Sequence, residues 1–162
     1  MSVDKSISLA VITKQIEDCK GFVDKYQWAF SEIDEEQQKF FVSMPDFNGS
    51  IYNLEIIFND FPEIPLLIDF IDPETGEKGT KKLYPLGKGD SFFHQHLPCI
   101  CNPASRKSYK DCDPGAPHGD WTMIGWQHNG QVGDLKTLDK ILLAIFFRIN
   151  NPEKYEGTRM AQ

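Results

Sequence analysis

The chain has no apolar run near the ~18 residues that a membrane-spanning helix requires, so no transmembrane segment is expected. Positive charge is in deficit: 17 Lys and Arg stand against 24 Asp and Glu, for a net charge of −7. Broad electrostatic binding to nucleic acid or to an anionic membrane needs clustered Lys and Arg, so neither partner is expected. An acidic surface would instead attract a basic partner face. Cysteine is scarce. Cys19, Cys99, Cys101 and Cys112 are too few and too clustered for a disulfide framework, and the last three lie close enough to suggest a site. The start, Met1-Ser2-Val3-Asp4-Lys5, lacks the basic and apolar regions of a secretory signal. A cytoplasmic address with reduced thiols is the resulting expectation. There is no internal repeat and no low-complexity tract.

What is present fits one globular domain over residues 1–162, with 40% hydrophobic and 25% charged residues. Ile7, Ala10, Val11 and Ile16 give imperfect helical spacing over 6–20, with Ser6 placed to cap the start. Alternating apolar residues predict strands over 27–34 (Trp28, Phe30) and 38–44 (Phe40, Val42, Met44), joined by a Glu-Glu-Gln-Gln turn. A third strand follows over 51–58, with Tyr52, Leu54, Ile56 and Phe58 on one face. Pro62 and Pro65 then make a rigid turn, and Leu66 to Ile71 forms a fourth strand. The clearest helix is the last. Leu135, Leu138, Ile141, Leu142, Ile145, Phe146 and Ile149 follow the i, i+3, i+4, i+7 pattern, Asp134 can cap it, and Asn151-Pro152 stops it. Consecutive strands with short turns imply an α+β fold: a four-strand antiparallel meander flanked by an N-terminal and a C-terminal helix.

Residues 72–134 hold most of the glycines and prolines and all four histidines. So long an irregular stretch inside a domain is usually functional or disordered. Phe92, Phe93, Trp121, Met123, Ile124 and Trp126 can pack it down, which favours function. Cys101 lies inside it, between Ile100 and Asn102-Pro103, where a buried strand is unfavourable, and it is the best nucleophile in the chain. If the segment is extended, Cys99 points to the opposite face and is structural. His96 and His118, and less so His94, are candidates to take a proton. Asp111, Asp113 and Asp120 are acids of the same loop, though each also suits a turn. Arg106 and Lys107, with Lys110, form a small basic patch that can hold a carboxylate, or can be merely a solvated face. Zinc is the competing chemistry, drawing on His94, His96, Cys99, Cys101, Cys112 and His118. Cys-x-Cys lacks the spacing of structural sites, so no metal and no cofactor is expected.

Four short motifs in order resemble the ubiquitin-conjugating-enzyme family. They are Leu54-Glu55-Ile56-Ile57-Phe58, then Phe61-Pro62-Glu63-Ile64-Pro65, then Ile100-Cys101, then Thr137-Leu138-Asp139-Lys140-Ile141-Leu142-Leu143-Ala144-Ile145 with Pro152 after it. The likeness runs from the first helix to Pro152. The family's His-Pro-Asn before the cysteine is missing, and His94-Gln95-His96 stands nearby at another spacing. The segment from cysteine to helix is also longer than in the eukaryotic enzymes. These departures look like the bacterial conjugating-enzyme-like proteins of cyclic-oligonucleotide antiphage (CBASS) operons. That resemblance implies a thioester on Cys101 and transfer of the C-terminus of a protein partner, a CD-NTase-type nucleotide cyclase. It also implies a loop acid near the cysteine, one of Asp111, Asp113 and Asp120, that orients and deprotonates the incoming amine. The alternatives are a catalytically inactive binding module of the same fold and a zinc-stabilised structural domain.

Overall fold

Asp4, not Ser6, caps the first helix: its carboxylate accepts the Ser6 backbone N–H at 2.8 Å. The computed structural model describes residues 2–112 and 118–162. Helix α1 spans Lys5–Asp18, and a second short helix, α2, spans Lys20–Tyr26. α2 fills the stretch between the predicted helix and the predicted strand, which the sequence pattern leaves unassigned. Gln27 ends it with φ of 60°, and only Ala29–Phe30 remains extended as β1. The Asp34↔Lys39 bridge closes the next hairpin.

β2 (Lys39–Pro45), β3 (Ile51–Ile57) and β4 (Leu67–Phe70) complete an antiparallel sheet in the order β1-β2-β3-β4. The period-two pattern predicts the register. Phe40 faces Ile56, Val42 faces Leu54, and Met44 faces Tyr52, all buried. On the other side of β3, Leu54 pairs Phe70 and Ile56 pairs Ile68. These side chains share one apolar cluster with Ile12 of α1 and with Leu138, Ile141, Leu142, Ile145 and Ile149 of helix α3 (Leu138–Ile149). Full burial of each such side chain stabilises the fold by roughly 1.5–3 kcal/mol before entropy is counted.

α3 starts three residues later than Leu135, and Asp134 does not cap it. The Gln15 side chain of α1 accepts the Leu138 N–H at 2.8 Å instead. A helix-to-helix contact thus satisfies one of the donors that every helix start leaves open. After α3, Tyr155–Arg159 forms strand β6, which pairs antiparallel with β5 (Pro85–Gly87) in a second, two-stranded sheet. Neither strand is evident from the sequence pattern.

The described residues of 72–134 are more ordered than the composition of the region suggests. They contain β5, turns of 3₁₀ helix at Lys81–Leu83, Arg106–Ser108 and Trp126–His128, and isolated bridges Leu66↔Ser105, Phe93↔Ile100 and Tyr109↔His118. Tyr84, Phe92, Phe93, Ile100, Tyr109, Trp121 and Trp126 from this region enter the main core. Its chief anchor is the proline turn after β3. Trp126 Nε1 and Gln127 Nε2 both donate to the Pro62 carbonyl, at 2.9 and 2.7 Å. None of the helices is long and apolar enough to cross a membrane among the described residues.

Candidate active site

Cys101 closes a small hairpin. Phe93 bridges Ile100, the His94 N–H donates to the Cys99 carbonyl at 3.0 Å, and the Cys101 N–H donates to Phe92 at 2.8 Å. Phe92, Phe93, Cys99 and Ile100 are buried, so the hairpin is fastened to the core. Its tip is held by His94, whose Nδ1 accepts the backbone N–H groups of His96 and Leu97, each at 3.1 Å. Nδ1 is thereby committed as an acceptor, which suits a neutral ring. Burial, then the neighbouring His96 and His118, push the His94 pKa down. Extended geometry turns Cys99 into the interior and leaves Cys101 half-buried, as the alternation of side chains along a strand requires.

The second half of the site comes from the Arg106–Ser108 turn. The fully buried Ser108 hydroxyl donates to the Ile100 carbonyl at 2.8 Å and accepts the Asn102 N–H at 3.1 Å. Both peptide groups flanking Cys101 are thus held by one side chain. The Ser108 carbonyl accepts the His118 N–H at 2.9 Å, within the parallel Tyr109↔His118 bridge. One residue therefore sets the position of both Cys101 and His118.

The result is a thiol in contact with an imidazole: Cys101 Sγ lies 3.3 Å from His118 Nε2. The imidazole lies flat on the Trp121 ring, with centroids 3.7 Å apart and planes 9° from parallel. Trp121 is backed by Tyr109, whose hydroxyl donates to the Pro103 carbonyl at 2.6 Å. A stacked ring with its backbone tied down has little freedom to leave the sulfur. Burial pushes the Cys101 thiol up, which disfavours the thiolate, and the imidazole stands within hydrogen-bond reach of the sulfur. That arrangement suits nucleophilic acyl chemistry by a cysteine with an adjacent base.

The other residues read from the sequence fall less centrally. His96 is exposed, with its ring edge-on to His94 at 6.1 Å, and it is His118 that touches the thiol. Asp120 is exposed in the turn between His118 and Trp121, and Asp111 is exposed as well. Asp113 lies outside the described residues.

Arg106 and Lys107 are corrected outright: they are buried and do not form a surface patch. Arg106 donates to the Pro65 carbonyl at 3.0 Å and to the Asn59 side chain and carbonyl at 2.9 and 2.8 Å. Lys107 Nζ meets Asp69 Oδ1 at 2.7 Å. Committed to partners inside the fold, neither is presented to a substrate, and of that basic trio only Lys110 is exposed. No three His, Cys, Asp or Glu side chains converge on a metal position among the described residues. A shallow cavity of about 470 Å³ lies along α1, but Ser6, Leu9, Ala10, Thr13, Lys14 and Glu17 line it, with no thiol or imidazole.

Ser108 and the Trp121 stack escape any sequence reading, because a lone serine seven positions from a cysteine carries no pattern. Ser108→Ala is expected to leave the fold intact but lower stability by about 1–3 kcal/mol, since the Asn102 N–H and Ile100 carbonyl lose their buried partner. Iodoacetamide labelling of Cys101 should slow in the same variant. Unchanged labelling and melting would mean that Ser108 does not hold the site.

No known protein-family profile matches the chain, and no curated protein or solved structure was found to be similar to it.

Proposed function

We propose that this protein is a thioester-forming acyl transferase of the ubiquitin-conjugating type. Cys101 attacks the carbonyl of an activated C-terminal acyl group and carries it as a thioester. His118 receives the thiol proton, and later takes a proton from the amine that accepts the acyl group. The observation that carries this reading is the 3.3 Å contact between Cys101 Sγ and His118 Nε2. The order of helix, antiparallel meander, cysteine loop and helix, with the Phe61-Pro62-Glu63-Ile64-Pro65 turn between the last two strands and the cysteine, is consistent with it.

The resemblance to bacterial antiphage proteins supplies the rest of the proposal. The donor is a nucleotide cyclase of the CD-NTase type, joined through its C-terminus, in the bacterial cytoplasm. The acidic net charge fits a protein partner with a basic docking face and disfavours nucleic acid.

The test incubates the purified protein with such a cyclase from a cyclic-oligonucleotide operon, with and without an activating enzyme and ATP. A covalent adduct that dithiothreitol removes, and that peptide mass analysis maps to Cys101, is the expected product. An adduct that survives the reductant and maps to a lysine of this chain, or no adduct in any combination, rejects the proposal.

A further inference from the structure

From the same dyad we infer a second activity: Cys101 and His118 hydrolyse acyl esters and thioesters, with water as acceptor. The inference rests on Cys101 being an acyl carrier, and extends that reading to the fate of the loaded state when no amine is present.

Three observations carry it. A base stands at the sulfur that carries the acyl group: Nε2 is 3.3 Å from Sγ. The base is held in place. Its ring is stacked on Trp121 at 3.7 Å, and the His118 backbone N–H donates to the Ser108 carbonyl at 2.9 Å. Both Cys101 and His118 remain half-buried, so solvent reaches the pair. A base that can deprotonate an amine at the thioester carbonyl can deprotonate water at the same place.

The steps balance without another reactant. In the first, the Sγ proton moves to His118 Nε2 and sulfur attacks the ester carbonyl. The carbon–oxygen bond to the alcohol breaks, and the imidazolium proton leaves with the alcohol or to solvent. In the second, water gives a proton to Nε2 and its oxygen attacks the thioester carbonyl. The carbon–sulfur bond breaks, the carboxylic acid leaves, and the proton returns to Sγ. The acyl-thioester state is then a transient one, with a lifetime that His118 sets whenever the acceptor is late.

p-Nitrophenyl acetate tests this without knowledge of the natural donor, because a small activated ester needs no recognition surface. The full chain should release more than one equivalent of p-nitrophenolate, and Cys101→Ser should fall to the background of the free imidazoles. His118→Gln should accumulate the acetyl group on Cys101, seen by intact mass, with deacylation slower by about 10²–10⁴-fold. His118→Ala is the second variant, and thermal melts confirm that each is folded. Deacylation at the wild-type rate in the folded His118 variants would overturn the inference.

So would a wild-type protein that stops at one equivalent, stably acetylated. If that acetyl-enzyme still passes its acetyl group to added methylamine, hydrolysis is rejected while the transferase reading stands. If Cys101 never becomes acetylated, both fall together.

Discussion

Cys101→Ala is expected to abolish the reductant-sensitive adduct, whereas His118→Ala should keep it while slowing its transfer to an amine by about 10²–10⁴-fold. The two effects separate because the two steps ask for different things. Loading needs a sulfur nucleophile, and raising the pH supplies thiolate without help. Transfer needs the amine to lose a proton as it attacks, and at neutral pH an unassisted amine is almost wholly protonated. Burial pushes the Cys101 thiol up, so loading by His118→Ala should be slow at neutral pH and recover steeply as pH rises toward the thiol's titration. Transfer should recover only partly, because the base is gone from its fixed position. Single-turnover kinetics measure loading and discharge separately across pH. Equal losses in both steps at every pH would reduce His118 to a residue that shapes the site. Asp120→Ala is the useful comparison, since Asp120 is exposed two residues from His118; an effect there as large as at His118 would move the base to the carboxylate.

The parts of this molecule that were legible in the sequence are the parts whose physics is local. Phe40, Val42 and Met44 alternate because β2 alternates, and Ile141, Leu142 and Ile145 recur because α3 turns every 3.6 residues. Cys101 stands out because Asn102-Pro103 follows it, where a buried strand is unfavourable. The misses are non-local. α3 is capped by Gln15, 123 positions upstream, and β6 presents five residues with too little alternation to signal a strand. His118 was one of three candidate histidines, and nothing in its neighbours distinguishes it. Its place at the sulfur comes from the Ser108 carbonyl and the face of Trp121, which only the folded loop brings together. Arg106 and Lys107 misled for a related reason. Charged residues are buried only when paired, and their partners Asn59 and Asp69 lie 47 and 38 positions away.

That buried pair carries the largest expected stability effect. Lys107 Nζ and Asp69 Oδ1 meet at 2.7 Å with side chains only 4% and 13% exposed. Tyr84, fully buried, donates its hydroxyl to the same carboxylate oxygen at 2.6 Å. Gly79 comes so close that a Cβ there would stand 3.2 Å from Nζ, at a φ of +70° that disfavours any side chain. Lys107→Met removes the cation and leaves a buried carboxylate with one neutral donor. Removing one partner of such a pair typically costs about 3–5 kcal/mol, and the remaining Tyr84 hydrogen bond places this case toward the lower end. In a chain of this size each kcal/mol lowers the melting temperature by roughly 2–4 °C, so a drop of roughly 6–12 °C is expected. Pairing the change with Asp69→Leu should restore much of the loss, because the second substitution removes the stranded charge. Because Lys107 precedes Ser108, the single variant should also slow alkylation of Cys101 by loosening the turn that holds it. Thermal melting of the single and double variants, with iodoacetamide labelling alongside, decides the matter. A surface lysine that binds substrate would behave in the opposite way, with an unchanged melting temperature and a raised KM.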